Sequence, residues 1–260
     1  MALLEVNNIY KSFGGLAAVS DISFTVDEGQ IVSIIGPNGA GKTTVFNLLT
    51  GFYTCDKGSI KFCGEEVSGL SPWQFVYKGM VRTFQNLRIF PTLTALENVL
   101  IGYQSQITYG RFEAVLRTRR MREQEKKGRE EAFNVLKSLS MDQYANEKCG
   151  SLPYGVQKKL EIVRALVVSP KLVLLDEPAA GLNPEETDEL AGFIKSLPSK
   201  GYSILLIEHD MSLVMSISDY IYVMDYGKEI ARGVAEDVQK NERVIEAYIG
   251  KGGLRHVAES

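Results

Sequence analysis

Cysteine is scarce in this chain, and histidine scarcer. The 260 residues hold three cysteines, Cys55, Cys63 and Cys149, and two histidines, His209 and His256. An odd number of cysteines, scattered this widely, suits neither a disulfide framework nor a zinc site; a reducing cytosol fits it. No apolar run approaches the roughly 20 residues that a bilayer span needs. Any membrane in this protein's work must therefore be supplied by another chain. The first residues lack the charged, apolar and small-residue order of a signal peptide. Charge of either sign is not in excess: 29 Lys and Arg against 32 Asp and Glu leave a net −3, which argues against a dedicated nucleic-acid surface. What remains is an ordinary globular composition, long enough to bury a substantial core in one α/β domain or two small ones.

Against that background one stretch organises the rest. Gly36-Pro37-Asn38-Gly39-Ala40-Gly41-Lys42-Thr43-Thr44 follows the apolar run Ile31-Val32-Ser33-Ile34-Ile35 and opens a second one, Val45-Phe46-Asn47-Leu48-Leu49. The spacing G-x-x-x-x-G-K-[ST] between a buried strand and a helix is that of a phosphate-binding loop. Its glycines let backbone N–H groups close around phosphate oxygens, and the helix beginning near Lys42 turns its positive end to the same anion. Lys42 is expected at the β- and γ-phosphates and the Thr43 hydroxyl at Mg²⁺. A glycine-rich turn before an ordinary helix is the plain alternative; the full spacing and both flanks argue against it. The chain is expected to bind a nucleoside triphosphate. A GTPase would carry an Asn-Lys-x-Asp motif to read guanine, and none is found.

Around this loop the pattern is that of an α/β protein. Residues 2–26 read as antiparallel strands, with Ile22, Phe24 and Val26 alternating with polar neighbours. Phe13, before a Gly-Gly turn, reads by itself as a core residue. Ser59–Phe62 and Met80–Phe84 read as strands, the second delivering Gln85 to its end, where open α/β sheets bind ligands. Ser71-Pro72 and Thr94-Ala95-Leu96-Glu97 are helix starts. Residues 87–155 carry no strand signal and read as an inserted helical subdomain between core segments 1–86 and 156–250. Its charged stretch, 111–131, interleaves Arg and Lys with Glu, the pattern of a solvated helix face rather than of a lipid or nucleic-acid patch. Two continuous apolar runs, Lys171–Leu175 and Ser203–Ile207, read as central parallel strands. Asn183-Pro184-Glu185-Glu186 caps a helix, Tyr220–Met224 is a further strand, and Asp225–Lys228 a hairpin turn. A last helix runs to Gly250, and 251–260 form a tail.

The two central runs end in chemistry. Asp176 at a strand tip suits a Mg²⁺-directed carboxylate, and Glu177 beside it can polarise an attacking water. His209 follows the second run. Each alone reads as well as an ordinary turn residue; together, behind one phosphate loop and in this order, they point to nucleotide hydrolysis.

With these residues in place the chain resembles the ATPase subunits of ATP-binding cassette (ABC) transporters over about residues 3–250. Among them it is most similar to one of the two ATPases of branched-chain amino-acid importers. The likeness rests on GPNGAGKTTVFNLLTGFY, VRTFQNLRIFPTLTALENVL, LEIVRAL, LLDEPAAGLNPEET and LLIEHDMSLVMSISDYIYVM. It implies one ABC domain over 1–250: a core with a mainly parallel sheet, an N-terminal antiparallel β subdomain and the inserted helices. It further implies Phe13 stacked on adenine, Gln85 sensing Mg²⁺ and water, Glu177 as general base and His209 at the γ-phosphate. Leu152-Pro153-Tyr154-Gly155-Val156 would be the signature segment that completes the ATP site of a second subunit, with Asn183 in the neighbouring D-loop. Here the usual L-S-G-G-Q keeps only Leu152 and Gly155, and Asn183 replaces an aspartate. The implied partners are a second ATPase, identical or different, two integral permease subunits and, indirectly, a periplasmic or extracellular solute-binding protein, with no nucleic acid. The place of work would be the cytoplasmic face of the membrane. The alternatives are an ABC ATPase unconnected with transport, or an importer subunit for urea or other amino acids.

Overall fold

Alternating apolar and polar residues at the start of the chain fold into a hairpin, β1 (Ala2–Phe13) against β2 (Leu16–Asp27). The computed structural model describes residues 2–249, so His256 and the expected tail lie outside the described residues. After the hairpin come β3 (Ile31–Ile35), α1 (Lys42–Leu49), β4 (Lys57–Phe62), β5 (Glu65–Glu66), α2 (Pro72–Lys78) and β6 (Met80–Arg82). The helices α3 (Ala95–Tyr103), α4 (Arg111–Val115), α5 (Arg119–Ser138) and α6 (Tyr154–Leu166) follow. The chain then returns to β7 (Leu172–Asp176), α7 (Pro184–Ser196), β8 (Ser203–Ile207), α8 (Met211–Ile217), β9 (Tyr220–Asp225) and β10 (Lys228–Gly233). It ends in α9 (Ala235–Gln239) and α10 (Glu242–Ile249).

Two compact units result, one from residues up to 82 together with those from 171 on, the other from 83–170. The first holds both sheets. One is antiparallel, in the order β2-β1-β4-β5; the other has the order β10-β9-β3-β8-β7-β6 and is parallel except for the β9–β10 hairpin. Every residue of β3, β7 and β8 is buried, as continuous apolar runs covered on both faces should be. The core joins Leu4, Ile9 and Phe24 of the hairpin to Phe46 and Leu49 of α1 and to Leu174, Leu205 and Ile207 of the central strands. Parallel register sets Ile207 beside both Ile34 and Asp176. The carboxyl ends of β3, β7 and β8 therefore leave the sheet along one edge, where such sheets place ligands.

The strand expected over 80–84 is shorter than its apolar pattern. Strand β6 stops at Arg82, opposite Leu174, although β7 itself runs on to Asp176: the chain leaves the sheet there, and Thr83 opens the second compact unit.

In the unit 83–170, α3 packs against α5 and α6, and Gly102 is what allows the α3–α6 approach. A Cβ there would come within 2.3 Å of the Arg164 carbonyl oxygen. Helix α6 begins at Tyr154, and its whole length falls in this unit; the division by pattern had separated it at 155. Helix α5 carries the charged stretch on an exposed face, with Arg119–Glu123 at 2.7 Å and Lys126–Glu130 at 3.8 Å one turn apart, over a buried stripe of Gly128, Ala132 and Leu136. Exposed pairs of this kind contribute little to stability, about 0–1 kcal/mol each. Among the described residues no helix is long and apolar enough to cross a membrane.

Candidate functional site

The loop after β3 is shaped by glycines that nothing else could replace. Gly36 has φ +151°, and a Cβ on it would lie 2.0 Å from the Met224 carbonyl oxygen; at Gly41, φ +100°, a Cβ would lie 2.4 Å from that of Ala18. The loop is thus pressed between β2 and β9 and leaves its own backbone to form an anion cradle. Helix α1 starts immediately beyond it at Lys42. Lys42 is buried, and its Nζ donates to the carbonyls of Gly36 at 2.6 Å and Pro37 at 3.0 Å. Burial lowers its pKa, and the nearby carboxylates of Glu177 and Asp176 act against that shift. An ammonium spanning the loop mouth between carbonyls is placed to exchange one of them for a phosphate oxygen.

A cleft of about 330 Å³ opens here, lined by Asn38 to Thr44, Glu177, and Leu16, Ala17 and Ala18 from the hairpin end. Tyr226 and Gly227, in the turn between β9 and β10, complete it. That turn is tied to the loop: the Gly227 N–H donates to the Ala40 carbonyl at 3.0 Å, and the Ser20 N–H to the Gly227 carbonyl at 2.7 Å. Leu16–Ala18, Tyr226 and Gly227 were not singled out from the sequence, since small residues and a turn carry no chemical signal. Phe13 is not a core residue. It sits at the hairpin end, 42% exposed, edge-on to Tyr53 at 5.0 Å, and it is not among the residues lining the cleft.

Two loops bring the acids and the histidine. Asp176 ends β7, buried, with Arg82 Nη2 donating to its Oδ2 at 2.6 Å. The same guanidinium donates to Asn47 Oδ1 at 2.8 Å and lies 5.5 Å from the Phe46 ring centroid, so it joins α1 to the strand tip. Glu177, next along, adopts φ +48°, the left-handed region that costs a non-glycine residue about 1–3 kcal/mol. Its N–H donates to the Ile207 carbonyl at 2.9 Å, which anchors the turn to the end of β8. Beyond β8, His209 Nδ1 stands 3.8 Å from Glu177 Oε2, with Glu177 mostly buried and His209 largely exposed. A shielded carboxylate beside an accessible imidazole suits proton uptake from water next to an anionic substrate.

The remaining expected residues lie in the other unit or on α7. Gln85 follows β6 by three residues, is exposed, and its carbonyl accepts from Lys158 Nζ at 3.4 Å. Pro153 is the N-cap of α6; Leu152 and Gly155 are buried, Pro153 and Tyr154 exposed, Val156 half-buried. Asn183 caps α7: its Oδ1 accepts from the Glu186 N–H at 2.9 Å, and Glu186 returns a bond to the Asn183 N–H.

Comparison with known proteins agrees with this geometry. Residues 19–180 match the family described as ABC transporter, and residues 228–253 match one described as branched-chain amino acid ATP-binding cassette transporter. The chain belongs to the ABC transporter family, as an ATP-hydrolysing subunit. It is 46% identical to the high-affinity branched-chain amino acid transport ATP-binding protein BraF of Pseudomonas aeruginosa, over 96% of this chain and 98% of that one. LivG of Salmonella typhimurium, of the same description, is 45% identical over the same shares. Among solved structures, a nucleotide-free ATP-binding cassette from an ABC transporter superposes with a TM-score of 0.83 at 34% identity. A cassette in its ADP conformation superposes at 0.84 and 33%; each match covers 96% of this chain and all of the other.

Proposed function

We propose that this ABC ATPase energises uptake of branched-chain amino acids through two integral permease subunits, bound at the cytoplasmic face of the membrane. The observation that carries the solute class is the second family match. It falls on β10, α9 and α10, outside the general ABC match, and joins high identity to proteins named for branched-chain transport.

In the proposed cycle Gly36 to Thr44 cradle the phosphates, Lys42 meets the β- and γ-phosphates, and Phe13 stacks on adenine. The Thr43 hydroxyl and the Asp176 carboxylate would hold Mg²⁺; both offer the hard oxygen donors this ion prefers. Bound there, Mg²⁺ would neutralise charge on the phosphates. Glu177 takes the proton of the attacking water, and His209 beside it holds the γ-phosphate. Leu152 to Val156, with Asn183, complete the site of a second ATPase, identical or different. A solute-binding protein outside the membrane delivers cargo to the permeases, and this chain does not touch the solute.

The test is the transporter purified through a tag on this chain, with and without Glu177→Gln. The amide cannot accept a proton, so the variant complex should bind ATP normally while hydrolysis and uptake of labelled leucine, isoleucine and valine fall at least about 10²-fold. Near-normal ATPase activity would remove Glu177 from the role of base. A wild-type complex that imports another solute and ignores these three would overturn the solute class.

A further inference from the structure

A carboxylate that the mechanism above does not use lies beneath its two central residues. Glu208, between β8 and His209, is fully buried, 0% exposed. One of its oxygens, Oε1, accepts from the Ala179 N–H at 2.8 Å, two residues beyond Glu177. The other, Oε2, accepts from the His209 N–H at 2.9 Å and the Asp210 N–H at 3.4 Å, and stands 3.6 Å from His209 Nδ1. One side chain thus bonds both loops, each oxygen serving one of them. It does so where the backbone needs holding: Glu177 sits in the left-handed region, and the Ile207 carbonyl and Glu208 anchor its turn to the end of β8 and the loop beyond. A buried carboxylate is expensive to desolvate, and three backbone N–H groups are what compensates it.

We propose that Glu208 is a positioning residue that sets the Glu177 base and His209 at their working separation by clamping the two loops that carry them. The inference rests on the assignment of those two residues to the reaction. Two substitutions test the clamp. In Glu208→Gln one oxygen becomes an NH₂, which cannot accept, so the N–H groups of one loop lose their partner and face a donor. In Glu208→Asp both oxygens remain but the side chain is one methylene too short to span the loops. Neither touches the phosphate loop.

The experiment measures ATP affinity of the full chain, kcat and KM of the transporter complex purified through it, and thermal midpoint. These are measured in wild type, Glu208→Gln, Glu208→Asp, His209→Ala, Glu177→Gln and the double variant Glu208→Gln/His209→Ala. The expected result for Glu208→Gln is ATP affinity and KM within about twofold of wild type and kcat lowered by about 10²-fold, the cost of displacing reacting groups by about 1 Å. Glu208→Asp should fall between the two. Residual rates, read by phosphate release from radiolabelled ATP, should drop less when Glu208→Gln is added to His209→Ala than when it is made alone, because the part of the clamp that serves His209 is already lost and only the part that holds the Glu177 loop remains. Wild-type kcat in Glu208→Gln, or an undiminished loss in the double variant, overturns the proposal. If Glu208→Gln fails to fold, Glu208→Asp is decisive: a kcat loss at unchanged ATP affinity supports the clamp, and wild-type kcat removes it. Should His209→Ala and Glu177→Gln both turn over normally, it is the site assignment that falls, whatever Glu208 does.

Discussion

Cys149, an inert-looking residue in the helical unit, has a measurable consequence. It is fully buried, and its sulfur accepts from Asn98 Nδ2 at 3.0 Å. Burial raises the thiol pKa from 9.0 to about 11. The native state therefore favours the protonated thiol. Its contribution to stability is fully present below the ordinary value and is lost as pH rises from 9 through about 11, when the unfolded thiol ionises first. The shift corresponds to roughly 2–3 kcal/mol at the top of that window. Urea unfolding of wild type and Cys149→Ala at pH 8 and pH 10.5 should diverge in this sense, the wild type losing more stability than the variant. Equal losses would show that the thiol does not titrate with folding. At pH 8 a thiol reagent should modify exposed Cys63 and leave Cys149 untouched until the chain unfolds.

At the scale of an element, the stretch from Asn86 to Thr94 is an irregular strap whose backbone is hydrogen-bonded to helices α3 and α6. The Arg88 N–H donates to the buried carboxylate of Glu161 on α6 at 3.1 Å, and Arg164, one turn on, donates to the Arg88 carbonyl. Asn98 of α3 closes a two-way clamp on Phe90, accepting from its N–H at 2.8 Å and donating to its carbonyl at 3.0 Å. Helices α3 and α6 thus hold the strap while the Phe90 ring stands 48% exposed. An apolar ring displayed on a fixed backbone suits contact with another chain, here a permease. Phe90→Asp should leave the fold and the basal ATPase of the complex near wild type, since the clamp uses only the backbone of residue 90. Substrate uptake should fall at least about tenfold, the loss expected when a central aromatic anchor worth about 2 kcal/mol is removed. Uptake at the wild-type rate would mean that the ring docks nothing.

For the assembled molecule, the proposal that two such subunits share ATP rests on the segment 152–156. The exposed tip of this proposed signature segment is Pro153 and Tyr154, with Pro153 lacking both hydroxyl and N–H, so it cannot donate to a partner's phosphate. What is left is the positive end of α6, an attraction of about 0.3–1 kcal/mol when exposed and up to about 2 when partly buried. Closure of this chain on itself should accordingly be weak, and full activity should need the permeases and a second ATPase. Tyr154→Asp tests the arrangement without threatening the fold, because a carboxylate in the first turn favours the helix. It should preserve ATP binding by the same chain and lower ATPase of the complex at least tenfold, about 1.4 kcal/mol of lost closure. Unchanged ATPase would mean that 152–156 do not face a phosphate.

The sequence by itself determined whatever is local and periodic. The phosphate loop was legible because glycines at positive φ and a lysine at fixed spacing leave almost no other geometry. The apolar runs 172–175 and 203–207 could only be covered strands, and their tips announced Asp176, Glu177 and His209. Capping residues Thr94 and Asn183 marked helix starts through bonds that reach only three residues. The tertiary structure alone decided which distant groups complete the site. Arg82 meets Asp176 across 94 residues and Glu208 meets Ala179 across 29, and neither partner carries a mark of the other in the chain. Phe13 read as core by its apolar ring, yet the hairpin register leaves it at an open end beside Tyr53. Strand β6 stopped at Arg82 because the chain turns there into the helical unit, a departure that the apolar pattern of 80–84 does not record. Propensity and spacing act over a few residues; the contacts that bring Glu177 beside His209 come from parallel register between strands far apart in the chain.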